Sequence, residues 1–168
     1  RQYDTADNMT DRLAALTTLS LNAAPERERA LADFYARYAA DALVIDKWFS
    51  LQALIPQPDT LDQVHALTAH PAFSFANPNR VRALIGAFAG NQTQFNRADG
   101  AGYDFVTGNV LGLDRKNPQL AARLATAFRT WRTLEPGRRG KAQAALERIK
   151  ATANLSRDLA DIVERALG

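Results

Sequence analysis

Apolar residues recur at helical spacing along the whole chain, and short breaker segments separate one apolar stripe from the next. No segment alternates apolar and polar residues in the way that a half-buried strand does. The predicted helices start roughly 16–22 residues apart, so one helical hairpin would take about 35–40 residues, a length typical of HEAT and armadillo-like repeats. We therefore predict an all-α fold, a right-handed superhelix of antiparallel helical hairpins, with a globular helical bundle as the alternative.

The most clearly marked helix runs from Asn77 to Gly90. Asn77 can cap it, a proline follows at the first helical position, and we expect Gly90 to take the left-handed conformation at its end. One side of this helix carries an apolar stripe, Val81, Leu84, Ile85 and Phe88. The other side carries Arg82 beside Gly86 and Ala89, where a solvated face would carry several long polar side chains. This arrangement predicts the wall of a cavity.

Composition excludes several classes of protein. The net charge is +3, and the 21 basic residues are scattered among 18 acidic ones without a run of like charge, so we expect no nucleic-acid partner. No apolar run approaches the ~18 residues of a membrane span, so we expect no membrane partner. Cysteine is absent, which excludes thiolate chemistry and is typical of a cytoplasmic protein.

The chain begins with Arg1 rather than an initiator methionine. We therefore expect residues 1–168 to form a single helical domain of a longer protein, with residues 1–8 as the remnant of a linker. A length of 168 residues is enough for one well-buried core and short for two.

No pattern in the sequence predicts catalytic or metal chemistry. The only histidines, His65 and His70, lie five residues apart, whereas zinc ligands on one helix usually lie four apart. Neither histidine belongs to a recognisable Ser-His-acid pattern. The glycines at Gly100 and Gly102 lack the lysine of a phosphate-binding loop, so they predict a turn before a helix. We expect no catalytic residue, cofactor or metal within this chain.

Two polar groups remain open to alternative interpretations. Gln119 and Arg123 lie one helical turn apart, away from the neighbouring apolar stripe. They form either a solvated face or a polar wall that presents an amide and a guanidinium to a peptide or a carboxylate. Asp46 and Lys47 are adjacent and cannot pair along a helix, so either could reach a neighbouring helix, whereas Trp48 is expected to be a core residue.

Four segments carry a family resemblance. They are Asp46-Lys47-Trp48-Phe49, the block from Asn77 to Phe88, the turn Asp99-Gly100-Ala101-Gly102-Tyr103, and Arg115-Lys116-Asn117-Pro118-Gln119. Together they resemble the C-terminal domain of bacterial aminopeptidase N, a zinc metallo-aminopeptidase of the gluzincin class. The resemblance extends from about residue 10 to the end of the chain.

The resemblance implies a non-catalytic role for this part of the enzyme. In that family the zinc ligands and the catalytic glutamate lie in an upstream domain, and the C-terminal superhelix closes over it to leave an internal chamber. The family pattern places Arg82, Gln119 and Arg123 toward that chamber, where they would bind or steer peptide beyond the scissile bond. The implied partners are the upstream catalytic domain and peptide substrates, and the isolated fragment is expected to be inactive.

Two other functions fit the sequence without that resemblance. An independent α-solenoid scaffold would bind proteins through its concave surface. A basic helical nucleic-acid binder would need its arginines clustered on one face.

Overall fold

The described part of the chain, residues 1–22 and 24–168 of a computed structural model, is helical and contains no strand. In chain order the α-helices are α1 (Gln2–Thr5), α2 (Met9–Ser20), α3 (Glu26–Tyr38), α4 (Ala42–Ala53), α5 (Thr60–Leu67), α6 (Pro78–Val81), α7 (Ala87–Gly90), α8 (Gln92–Phe95), α9 (Ala101–Asp114), α10 (Pro118–Ala125), α11 (Pro136–Lys150) and α12 (Arg157–Leu167). A π-helical segment, Arg82–Gly86, joins α6 to α7, and a 3₁₀-helical segment, Thr126–Thr133, follows α10. None of the helices among these residues is long and apolar enough to cross a membrane.

Side-chain capping marks the start of several helices. Asn77, Asn117 and Ser156 each accept a hydrogen bond from a backbone N–H two or three residues further on, as expected for N-caps. The expectation for Gly90 is wrong. Gly90 lies within α7, and the next residue, Asn91, is extended with φ −75° and already caps α8, so the chain turns without a left-handed residue.

The first half of the fold is organised around α4, which contacts α2, α3, α5, α6, the π-helical segment and α7. Its residues Trp48 and Phe49 are buried, and the Trp48 indole N–H donates to the Leu31 carbonyl at 2.9 Å. Trp48 is thus the core residue that the sequence predicts. The apolar stripe of the Asn77–Gly90 helix is also confirmed, since all four of its members are fully buried.

The second half consists of α9 to α12 and the 3₁₀ segment, which pack on one another, with α8 contacting both α7 and α9. The Asp114 carboxylate at the end of α9 accepts from the Ser156 N–H at 2.8 Å and from the Ser156 hydroxyl, which ties α9 to the start of α12. Helices therefore pack against others that are close in the chain, as in a repeat architecture.

Residues 1–8 include α1, which packs on α2. Tyr3 is buried, and its hydroxyl donates to Asp33 Oδ2 at 2.8 Å. That residues 1–8 are the remnant of a linker stays a prediction.

Candidate functional site

A cavity of about 580 Å³ lies between the helix that starts at Asn77 and the helix that starts at Asn117. Its wall consists of Arg82, Gly86, Ala89, Gly90, Gln92, Arg123, Leu124, Thr126, Ala127, Arg129 and Thr130. The volume is in the range of small-molecule and peptide subsites. The structure thus places Arg82 and Arg123, which come from different helices, in one wall.

Small residues leave the room for this cavity. A methyl group built on Gly86 would lie 3.7 Å from Leu124 Cδ2 and 3.8 Å from Arg82 Cβ, which is ordinary van der Waals contact. A methyl group on Gly90 would meet nothing within 4 Å. The helical surface at Gly90 therefore faces open space, whereas Gly86 lies beside Leu124 with room for a methyl group only.

The arginines of the cavity lack the ion pairs that half of the other fourteen arginines form. Many side chains elsewhere pair with a carboxylate within 4.0 Å: Arg27, Arg29, Arg37, Arg80, Arg97, Arg138 and Arg148. Within the described residues, Arg82, Arg123 and Arg129 make no such pair. Arg82 donates to the Asn79 side-chain oxygen, a neutral acceptor that leaves its charge uncompensated.

The wall of the cavity contains no acidic residue. Three guanidinium groups therefore give it a positive potential, and each offers donors in the planar fork that suits carboxylates. The Thr126 hydroxyl donates to the Arg123 carbonyl at 2.6 Å, so its oxygen remains free to accept a hydrogen bond. Chemically, this arrangement suits an anionic or hydrogen-bonding peptide group.

Arg129 also lines the cavity, although the spacing of a regular α-helix does not predict it. An α-helix turns by 3.6 residues, so residues 123 and 129 would face different sides. The 3₁₀ segment turns by three residues, which aligns Thr126 with Arg129 on the cavity side. The signal that could have found Arg129 is its three-residue spacing from Thr126.

Gln119 lies exposed on α10, one turn before Arg123, and is not among the residues that line the cavity. Its proposed contact with peptide stays a prediction. Asp46, by contrast, reaches the neighbouring helix as one of the two sequence alternatives foresaw, with its Oδ1 2.8 Å from Arg80 Nε.

The two histidines lie in separate environments. The His65 ring is exposed and packs edge-on against Phe105 at 4.6 Å between centroids. The His70 Nδ1 accepts from the Ala72 N–H at 3.1 Å. In the part of the chain that the structure describes, no three His, Cys, Asp or Glu side chains come together as a metal site.

The fold and the cavity define the class as an all-helical repeat domain with a cation-lined recess. Over residues 1–168 the chain matches the family model described as "Domain of unknown function (DUF3458_C) ARM repeats", and the chain belongs to that family. The predicted α-superhelix of hairpins is thereby confirmed.

Similarity to named proteins covers almost the whole chain. It is 42% identical to aminopeptidase N of Haemophilus influenzae, 41% to that of Caulobacter vibrioides and 40% to that of Escherichia coli, in each case over 99% of this chain. It spans 19% of the length of these relatives. The resemblance to aminopeptidase N is confirmed.

A solved structure shows the same fold. The crystal structure of Legionella pneumophila aminopeptidase A in complex with aspartic acid superposes with a TM-score of 0.93 at 34% sequence identity. The match covers 99% of this chain and 20% of the other.

Proposed function

We propose that this chain serves as the C-terminal, chamber-forming domain of a zinc aminopeptidase that removes N-terminal residues from peptides. In this proposal the zinc ion and the catalytic groups belong to an upstream domain of the same polypeptide, which this chain caps, and the enzyme works in the cytoplasm. The zinc supplies an activated water to the reaction there. This chain supplies no catalytic residue, so the isolated fragment is inactive.

The cavity is the observation that carries the proposal. Arg82 and Arg123 share its wall with Arg129, and none of the three is neutralised by a carboxylate of the described residues. Relatives about 40% identical over 99% of this chain are aminopeptidases N, which supports a peptide as the ligand. We assign to Arg82, Gln119 and Arg123, together with Arg129, the task of binding or steering peptide beyond the scissile bond.

The test compares two substrates of the full-length parent enzyme. Arg82→Ala and Arg123→Ala are expected to raise KM for a pentapeptide by about tenfold each, because each removes a charged hydrogen-bond donor from the path of the peptide. The kcat should change little, since these groups do not touch the scissile bond. KM for an aminoacyl anilide, which is too short to reach the cavity, should stay at the wild-type value.

Arg139→Ala is the matched control, because Arg139 is an exposed arginine outside the cavity wall. It should leave both substrates unaffected. An equal rise in KM for the anilide and the pentapeptide in the cavity variants would contradict the steering role. A parent reading frame without an upstream H-E-x-x-H segment would favour the solenoid scaffold instead.

A further inference from the structure

We propose that Ser50 is a positioning residue, which aims Arg82 into the cavity by holding the segment between α6 and α7 in its π-helical form. The inference rests on the proposed function only for the task given to Arg82. Ser50 lies on α4 and is not part of the cavity wall, so any effect on peptide must pass through the neighbouring helix.

A single hydrogen bond links Ser50 to the π-helical segment. The Ser50 hydroxyl donates to the Ala83 carbonyl at 2.8 Å. In an α-helix this carbonyl would accept the N–H of residue 87. The Ala87 N–H donates instead to the carbonyls of Arg82 and Leu84. The serine hydroxyl therefore binds a carbonyl that the Ala87 N–H does not use, and a side chain inserted at the hydrogen-bond ladder is a recognised cause of such irregularity.

A second contact from α4 holds the preceding turn. Asp46 Oδ1 lies 2.8 Å from Arg80 Nε, and the Arg80 guanidinium sits 5.2 Å from the centre of the Phe49 ring. The Arg80 side chain is 7% exposed and that of Asp46 is 21% exposed, so this pair is largely but not fully shielded from water. Asp46 and Ser50 are one turn apart on α4, and they hold two points, Arg80 and Ala83, on either side of Arg82. The helix is thus fixed immediately before and after the residue that faces the cavity.

The π-helical form changes the direction of Arg82 relative to the rest of the wall. Pairing to the fifth residue adds one residue to the turn that starts at Arg82. Return to α-helical pairing would rotate Arg82 relative to Ala89 and Gly90 by about 100°, the angle of one residue in an α-helix. Since Arg123 lines the same cavity from another helix, such a rotation would move the Arg82 guanidinium relative to that of Arg123.

The experiment uses the full-length parent enzyme and its crystal structure. Ser50→Ala is expected to raise KM for a pentapeptide by about fivefold, the effect of one neutral hydrogen bond, with kcat and the KM for an aminoacyl anilide unchanged. Ser50→Thr keeps the hydroxyl and should restore the wild-type KM. The double variant Ser50→Ala/Arg82→Ala should match Arg82→Ala alone, because Ser50 acts only through Arg82.

Ser20→Ala is the matched control, because Ser20 is a fully buried serine whose hydroxyl has no hydrogen-bond partner among the described residues. It should leave both substrates unaffected. A wild-type KM in Ser50→Ala, or an additive effect with Arg82→Ala, would overturn the proposal while leaving the function of Arg82 intact.

The crystal structure of Ser50→Ala separates the two proposals. If Arg82→Ala itself leaves the pentapeptide KM unchanged, the proposed function of Arg82 fails. The crystal structure of Ser50→Ala then tests by itself whether Ser50 determines the helical form. An Ala87 N–H that then pairs with the Ala83 carbonyl would support Ser50 as the determinant of the helical form. A retained π-helical segment would overturn it.

Discussion

At the scale of single residues, His70 is the clearest case of an environment that the sequence does not reveal. Its ring lies among those of Tyr35, Trp48 and Phe49, at centroid distances of 4.8, 5.3 and 5.7 Å. Because Nδ1 accepts the Ala72 N–H, the neutral ring carries its proton on Nε2. Burial, and then the charge of Arg80, lower the pKa of His70 below its usual 6.5.

This pKa shift predicts a pH dependence of stability. The unfolded chain protonates His70 near pH 6.5, whereas the folded chain binds that proton only at lower pH, so the unfolded state holds more protons between the two values. Stability should therefore be complete above pH 6.5 and fall as the pH decreases through the lowered pKa of the folded state. Thermal melting followed between about pH 7.5 and pH 5.5 measures this slope.

The variant His70→Phe should flatten that slope, because the ring position remains filled and the titrating group is gone. His65→Phe makes the same change at an exposed position and should keep the wild-type slope. If the His70 variant kept the full slope, the loss of stability at acid pH would belong to other groups.

At the scale of elements, the start of the Asn77 helix was predictable and its internal form was not. Asn77 marks that start because capping depends on residues close in sequence. The π-helical and 3₁₀ segments were missed, since both depend on contacts with other elements, such as the Ser50 hydroxyl on the Ala83 carbonyl. The same limit explains why Arg129 was overlooked.

Gly102 shows how closely two helices can approach. A methyl group built on Gly102 would lie 2.4 Å from the carbonyl oxygens of Gln94 and Phe95 at the end of α8, closer than van der Waals contact allows. Gly102→Ala should therefore lower the free energy of unfolding by about 2–3 kcal/mol, since backbone atoms must move. Urea denaturation of the parent enzyme, or of the domain if it folds alone, measures the change.

Gly108 offers the matched control on the same helix. It is exposed, and a methyl group there would meet nothing within 4 Å. Gly108→Ala should leave stability unchanged or raise it by up to about 1 kcal/mol, because alanine favours the helix. Equal losses for the two variants would show that close approach to α8 is not the cause.

At the scale of the whole molecule, the distribution of charge, more than the net charge, determines where an anionic peptide would be attracted. The net charge is only +3, yet the cavity gathers three arginines without an acidic neighbour in its wall. Elsewhere, seven arginines pair with a carboxylate, whereas these three do not. The three charges give the cavity a positive potential, which can attract an anionic peptide.

Salt should weaken that attraction. The Debye length falls from about 10 Å at 0.1 M to about 3 Å at 1 M ionic strength, so salt screens the exposed guanidiniums over much shorter distances. KM of the parent enzyme for an acidic pentapeptide should rise by about three- to tenfold over that range. The double variant Arg82→Ala/Arg123→Ala should show a smaller rise. A salt response of equal size in wild type and variant would place the attraction elsewhere.

Sequence alone determined the all-helical class, the capped start and the buried stripe of the Asn77–Gly90 helix, and the choice of Arg82 and Arg123 as candidate site residues. These features depend on residues within one or two helical turns, where spacing and capping act. Tertiary structure decided which of the polar residues share a wall: Arg129 joins it, whereas Gln119 does not line it. It also decided the form of the helix at Arg82, because the hydrogen bond from Ser50 comes from a helix 33 residues away in the chain.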